Sequence, residues 1–205
     1  MSFFHQLTDK PWVASQRAVD DRHSGGEFSL PTTTLGLRVF LAVVTVLFSL
    51  LVVSYVERME GADWRTLPDP WLLWLNTAVL ILSSVALQWA RVSARWGQID
   101  GVRNGLLAGG VCAFAFLVGQ LLAWQQLAAL GYFADTNPAI AFFYLLTALH
   151  GVHLLGGLVA WGRTTAKLWH GFGVAQVRLS VELCAVYWHF LLLVWLILFV
   201  LLLFT

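Results

Sequence analysis

Residues 142–157 read FFYLLTALHGVHLLGG, a run suited to lipid except for two imidazoles, His150 and His153, three positions apart. A third histidine, His189, stands seven residues after Glu182 in VELCAVYWHF. Polar and titratable groups are costly in hydrocarbon unless they have partners, so these positions carry whatever chemistry the chain has. Seven residues is nearly two helical turns, which puts Glu182 and His189 on one face; Thr147, His150 and His153 share one side of the preceding helix. If the two helices are antiparallel neighbours, three histidines face one zone, with a carboxylate beneath them. Gly151, Gly156 and Gly157 leave room beside that zone.

Three chemistries suit such a constellation. A haem can sit between histidines of facing helices, with glycine making space for the porphyrin. Glu and His can pass protons. Or the groups form a neutral hydrogen-bonded network, with Glu182 paired to Arg178 one turn away or to a lipid headgroup. The residues alone leave these open. The chain shows no nucleotide-binding loop, nucleophile elbow or metalloprotease helix.

The elements that must hold these side chains follow from composition. Of 205 residues, 59% are hydrophobic and 11% charged, against about 25% charged in soluble domains. An all-α integral membrane protein is expected. Apolar runs near 36–56, 71–90, 105–124, 139–161 and 181–204 are each long enough to cross a bilayer. Strand alternation is absent. Many of the eleven Trp fall at the ends of these runs, as in the aromatic belt at a membrane boundary. Asn137 and Pro138 suit the cap and first turn of the fourth helix. Gly105, Gly109 and Ala113 form a small-residue series on the third, which permits close helix approach. Asn76, Ser83, Ser84, Gln88 and Gln120 are expected to hydrogen-bond between helices.

Charge sets the orientation. Lys10, Arg17, Arg22, Arg38, Arg91, Arg95, Arg103, Arg163, Lys167 and Arg178 fall on one side of the alternating spans, and only Arg58 and Arg65 on the other. Positive charge stays inside, so the N-terminus is expected in the cytoplasm and the C-terminus outside. Residues 1–34 read as a solvated cytoplasmic tail in which His5 and His23 have no special role, and residues 35–205 as one five-helix domain. His153 lies eight residues before Trp161 and His189 eight after Val181, so both are expected about 12 Å from the inner boundary. Net charge of +1 suggests no nucleic-acid partner. Cys112 and Cys184 have no metal or disulfide spacing.

The segments WLNTAVLILSSVALQWA (74–90), FYLLTALHGVHLLGG (143–157) and VELCAVYWHF (181–190) closely resemble subunit III of the haem–copper oxidases. The match is to the short five-helix form of bacterial cytochrome c oxidases and related quinol oxidases. It covers roughly residues 35–205. The resemblance implies a non-catalytic accessory subunit of a proton-pumping oxidase in the bacterial cytoplasmic membrane. Such a subunit packs on subunit I, with subunit II as a further partner, binds phospholipids and supports proton uptake. It implies that this chain holds no redox centre, haem and copper residing in subunit I, with subunit II a second candidate for copper. It also implies that His150, His153, Glu182 and His189, with Thr147 and Arg178, form a lipid-binding or buried polar network. Two departures stand out. Val44 occupies the place of a family carboxylate in FLAVVT, and Leu191 and Leu192 replace the Val-Asp that follows YWHF in many relatives. Proton transfer through those carboxylates is thereby put in doubt. The three in-membrane histidines are too few for a haem–copper core, and no paired cysteines near a histidine suit a binuclear copper site. The accessory subunit of a nitric oxide reductase looks alike at these motifs, and a stand-alone membrane b-type cytochrome is the alternative of another class.

Overall fold

The computed structural model describes residues 32–61, 64, 71–133 and 137–203. The expected tail lies outside these residues, save 32–34, which are helical; so do most of the first loop, residues 134–136 of the third, and residues 204–205. Two compact units divide the chain, Met1–Arg38 and Val39–Thr205. Of the first, only the opening of a helix is described; the rest of that helix and the four after it belong to the second.

Five helices carry the described chain: α1 (Thr32–Met59), α2 (Trp71–Arg95), α3 (Ile99–Ala129), α4 (Pro138–Trp169) and α5 (Val174–Leu203). All five are long and apolar enough to cross a membrane. With no water in the bilayer core, a helix is the conformation that satisfies its own backbone. α2 to α5 outrun the apolar segments at the basic end. α2 continues through Arg91 to Arg95, α3 begins before Arg103, α4 runs past Arg163 and Lys167, and α5 begins before Arg178. Hydropathy marks where the bilayer ends, whereas the backbone ladder continues until a terminator stops it. Two terminators are Gly97 (φ 72°) and Gly171 (φ 83°), in the left-handed conformation that glycine enters most readily. The amides of Gln98 and Phe172 then reach back to the carbonyls of Ser93 (2.9 Å) and Lys167 (3.3 Å), closing the helix ends. At the other end of the bundle, Asn137 Oδ1 accepts from the Ala139 amide at 3.1 Å, with Pro138 in the first turn.

α2, α3, α4 and α5 form a ring in which each packs on two others: α2 on α3, α3 on α4, α4 on α5, α5 on α2. The α2–α3 contact is the most extensive and rests on the small-residue series. A Cβ on Gly105 would lie 2.8 Å from the Ala86 carbonyl oxygen, and one on Gly109 would lie 2.7 Å from Leu87 Cγ. α1 turns Phe48 and Tyr55 toward α4, where they meet His153 (5.4 Å) and Phe142 (5.5 Å) edge-on.

Candidate functional site

The basic end of the bundle is held together across helices. Glu182 on α5 receives Arg178 Nε from one turn earlier at 3.4 Å and Arg95 Nε from the end of α2 at 3.3 Å. The Arg103 guanidinium lies 5.8 Å from the Trp169 ring centre, tying the start of α3 to the end of α4. The expected Arg178–Glu182 contact is therefore present. Arg95, 87 residues from Glu182, is a partner that helical spacing could not supply.

The three histidines do not form one cluster. Gly157 lies beside Tyr187 and Trp188, and the His150 ring lies 5.1 Å from that of Trp195. This antiparallel register sets His189 level with residue 156, so it differs in height from His153 by about 4.5 Å. The heights agree closely, but the directions diverge. His150 is 0% exposed, packed against Phe116 of α3 and Trp195 of α5, and neither ring nitrogen has a hydrogen-bond partner. His153 meets Phe40 and Phe48 of α1, and its Nδ1 is 3.1 Å from the Leu149 carbonyl oxygen. His189 is exposed on the α2 side of α5, with Nδ1 3.4 Å from Ser84 Oγ. Thr147 lies elsewhere again: it accepts from Trp124 Nε1 at 3.1 Å and donates to the Phe143 carbonyl at 2.6 Å.

The single zone expected from shared helix faces thus divides into separate contacts. A helical wheel fixes which residues share a face of one helix. Three positions still subtend about 60°, and that angle sends His150 and His153 to different neighbours. Of the three glycines expected to leave room, Gly157 is filled, since a Cβ there would lie 2.6 Å from Tyr187 Cε1, whereas a Cβ on Gly151 would meet nothing within 4 Å and one on Gly156 only Tyr187 Oη at 3.7 Å. Among the described residues, no group of three or more His, Cys, Asp or Glu could hold a metal ion.

Hydrogen bonds from three indoles and a phenol join the ring of helices, and for the buried Trp188 and Trp195 this role is distinct from the boundary belt that the placing of tryptophan suggests. Trp188 Nε1 donates to Ser83 Oγ at 2.8 Å, and Ser83 Oγ donates to the Gly109 carbonyl at 2.7 Å, linking α5, α2 and α3. Trp195 Nε1 donates to Thr77 Oγ1 at 3.0 Å, Trp161 Nε1 to the Leu106 carbonyl at 2.8 Å, and Tyr187 Oη to the His153 carbonyl at 2.7 Å. Ser83 is one of the residues expected to bond between helices. For Trp188 and Trp195, the sign in the sequence is their place mid-span rather than at a run's end.

Two outer grooves are apolar. One of about 340 Å³ separates α1 from α5, lined by Phe48, Val52, Phe190, Leu193 and Ile197 among others. The other, of about 330 Å³, separates α3 from α4. Val44, in the place of the family carboxylate, is buried.

The profile of the cytochrome c oxidase subunit III family matches residues 39–205. A cytochrome c oxidase subunit 3 of Thermostichus vulcanus is 30% identical over 190 residues, covering 90% of this chain and 91% of the relative. A probable cytochrome c oxidase subunit 3 of Mycobacterium tuberculosis is 29% identical over 172 residues, covering 81% and 84%. A cytochrome bo(3) ubiquinol oxidase subunit 3 of Pseudomonas aeruginosa is 25% identical over 194 residues, covering 91% of each.

Proposed function

The chain belongs to the cytochrome c oxidase subunit III family, and from that premise we propose that it is the accessory subunit of a haem–copper terminal oxidase of the cytochrome c type. The carrying observation is that the family match runs from residue 39, within α1, through the other four helices. The geometry agrees with a scaffolding role: the indoles of Trp161, Trp188 and Trp195 and the hydroxyls of Ser83 and Tyr187 bond to its own helices, and its histidines point to different neighbours. In this reading the haem and copper belong to subunit I, with subunit II a further partner, and this chain supplies packing surface. Phospholipid acyl chains occupy the two apolar grooves, and the subunit sustains proton uptake during turnover. The protein lies in the bacterial cytoplasmic membrane with its N-terminus inside and its C-terminus outside. The clustering of Arg91, Arg95, Arg103, Arg163, Lys167 and Arg178 at one end of the bundle supports this orientation.

Affinity purification of the tagged full chain in mild detergent tests the proposal. Co-purification of haem-containing oxidase subunits is expected, with oxygen consumption driven by reduced cytochrome c. Recovery of the chain alone, carrying its own Soret band, would overturn it. A quinol-driven enzyme is the second reading, favoured by the Pseudomonas aeruginosa relative; activity with ubiquinol and none with cytochrome c would establish it. Reporter fusions at Met1 and Thr205 check the orientation, and both ends on one side would refute it.

A further inference from the structure

The outer seam between α2 and α5 is unlike the other outer faces of the bundle. Ser84, Gln88, Arg91 and Arg95 recur at intervals of four, three and four along one face of α2. Arg178, Glu182 and His189 line the facing side of α5, where Arg95–Glu182 and Ser84–His189 contacts bridge the two helices. From Arg95 to Ser84 this polar row runs about 16 Å along the helix axis. Much of it is unsatisfied. Gln88 Oε1 and Arg91 Nε are shielded and have no hydrogen-bond partner, and His189 is exposed on the outside. Three guanidinium groups face one carboxylate, so the row carries excess positive charge. By contrast, the α3–α4 outer face presents Val118, Val152 and Leu155, all more than half exposed, a surface that acyl chains cover at no polar cost.

We infer that the α2–α5 seam is where a membrane-spanning helix of a partner subunit docks, presenting polar side chains with a carboxylate among them. The inference rests on the chain being an oxidase subunit and specifies the face used. Acyl chains offer neither donor nor acceptor, so they leave the exposed His189 ring and the excess guanidinium charge of the row unmatched in hydrocarbon. A phospholipid phosphate can pair with Arg95 and Arg178 at the boundary. It cannot also reach the level of Ser84 and His189, about 16 Å further along the axis. A helix spans both heights and can carry a carboxylate opposite Arg91 and a polar side chain opposite His189.

The test uses the intact complex in native membranes. A photoreactive residue is placed at Val85 on α2 or Val186 on α5, each on the outer flank of the seam, and at Val118 or Val152 as controls. Adducts with another oxidase polypeptide are expected at least tenfold more abundant from the seam than from the controls. Lipid adducts alone at the seam, or protein adducts only at the controls, would overturn the inference. In parallel, the Gln88→Leu, Arg91→Leu double variant should lose at least tenfold in co-purified partner while its own level in the membrane is unchanged. Retention of more than half the partner would overturn it. If the unaltered chain brings down no oxidase subunit, the functional reading itself fails. If it does so but crosslinks through α3–α4, only the docking face is wrong.

Discussion

Removing the Ser83 hydroxyl tests whether buried indole–hydroxyl bonds hold this bundle together. Ser83 and Trp188 are both 0% exposed, and Ser83 both accepts from Trp188 and donates to the Gly109 carbonyl. In Ser83→Ala the two bonds are lost unequally. Gly109 lies inside the continuous helix α3, so its carbonyl keeps its own ladder bond and loses little. The Trp188 N–H is left enclosed among apolar atoms, and a stranded buried donor costs about 1–3 kcal/mol. Interhelical hydrogen bonds in membranes average about 0.6 kcal/mol, with a maximum near 1.7, because alternative partners exist. Full enclosure denies Trp188 those alternatives, so about 1.5 kcal/mol is expected, roughly a tenfold shift in the unfolding equilibrium. Reversible unfolding in mixed micelles with increasing SDS measures it. Trp188→Phe alone mixes the lost bond with lost ring volume, so the decisive quantity is the coupling in the cycle of Ser83→Ala with Trp188→Phe. A coupling of about 1 kcal/mol is expected. One below about 0.3 kcal/mol, within ordinary additivity, would refute the bond as a source of stability.

Gly105→Ala should destabilise by about 1–3 kcal/mol in the same titration, because its Cβ would meet the Ala86 carbonyl oxygen at 2.8 Å and backbone cannot move aside cheaply. His150→Leu should be neutral or stabilising, since both ring nitrogens are buried without partners and an apolar side chain of similar size removes that burden; the absorbance bands of the intact complex should be unchanged. A loss above about 2 kcal/mol or a shifted haem band would show that His150 has a partner in the assembled enzyme. Asn137→Ala should cost about 1 kcal/mol and Asn137→Gly only a few tenths, the pattern of a side-chain cap on α4; equal losses would place Asn137's contribution elsewhere.

The family features legible in the chain are those carried by short segments. HGVH in one span and YWHF in the next identify the subunit because each motif is read within a single helix. The candidate site is legible only in part. Arg178–Glu182 is an i,i+4 pair, and its spacing suffices. The shared height of His153 and His189 also follows, because helical rise converts residue counts into depth. Their directions do not.

What the amino-acid sequence by itself determined were the five apolar segments of membrane-spanning length, the helical state and the segregation of basic residues. Each is a property of local segments against a uniform solvent: an apolar stretch must satisfy its own backbone, and a charge must reach an interface. What only the tertiary structure decided were the partners. Arg95 meets Glu182 across 87 residues, Ser84 meets His189 across 105, and Trp195 meets Thr77 across 118. Which helix stands beside which depends on the summed fit of small residues, indoles and turns over the whole bundle. A periodic pattern names a face without naming what covers it. His150 shows the difference: its sequence neighbours suggest a shared polar zone, and packing sets its ring between Phe116 and Trp195.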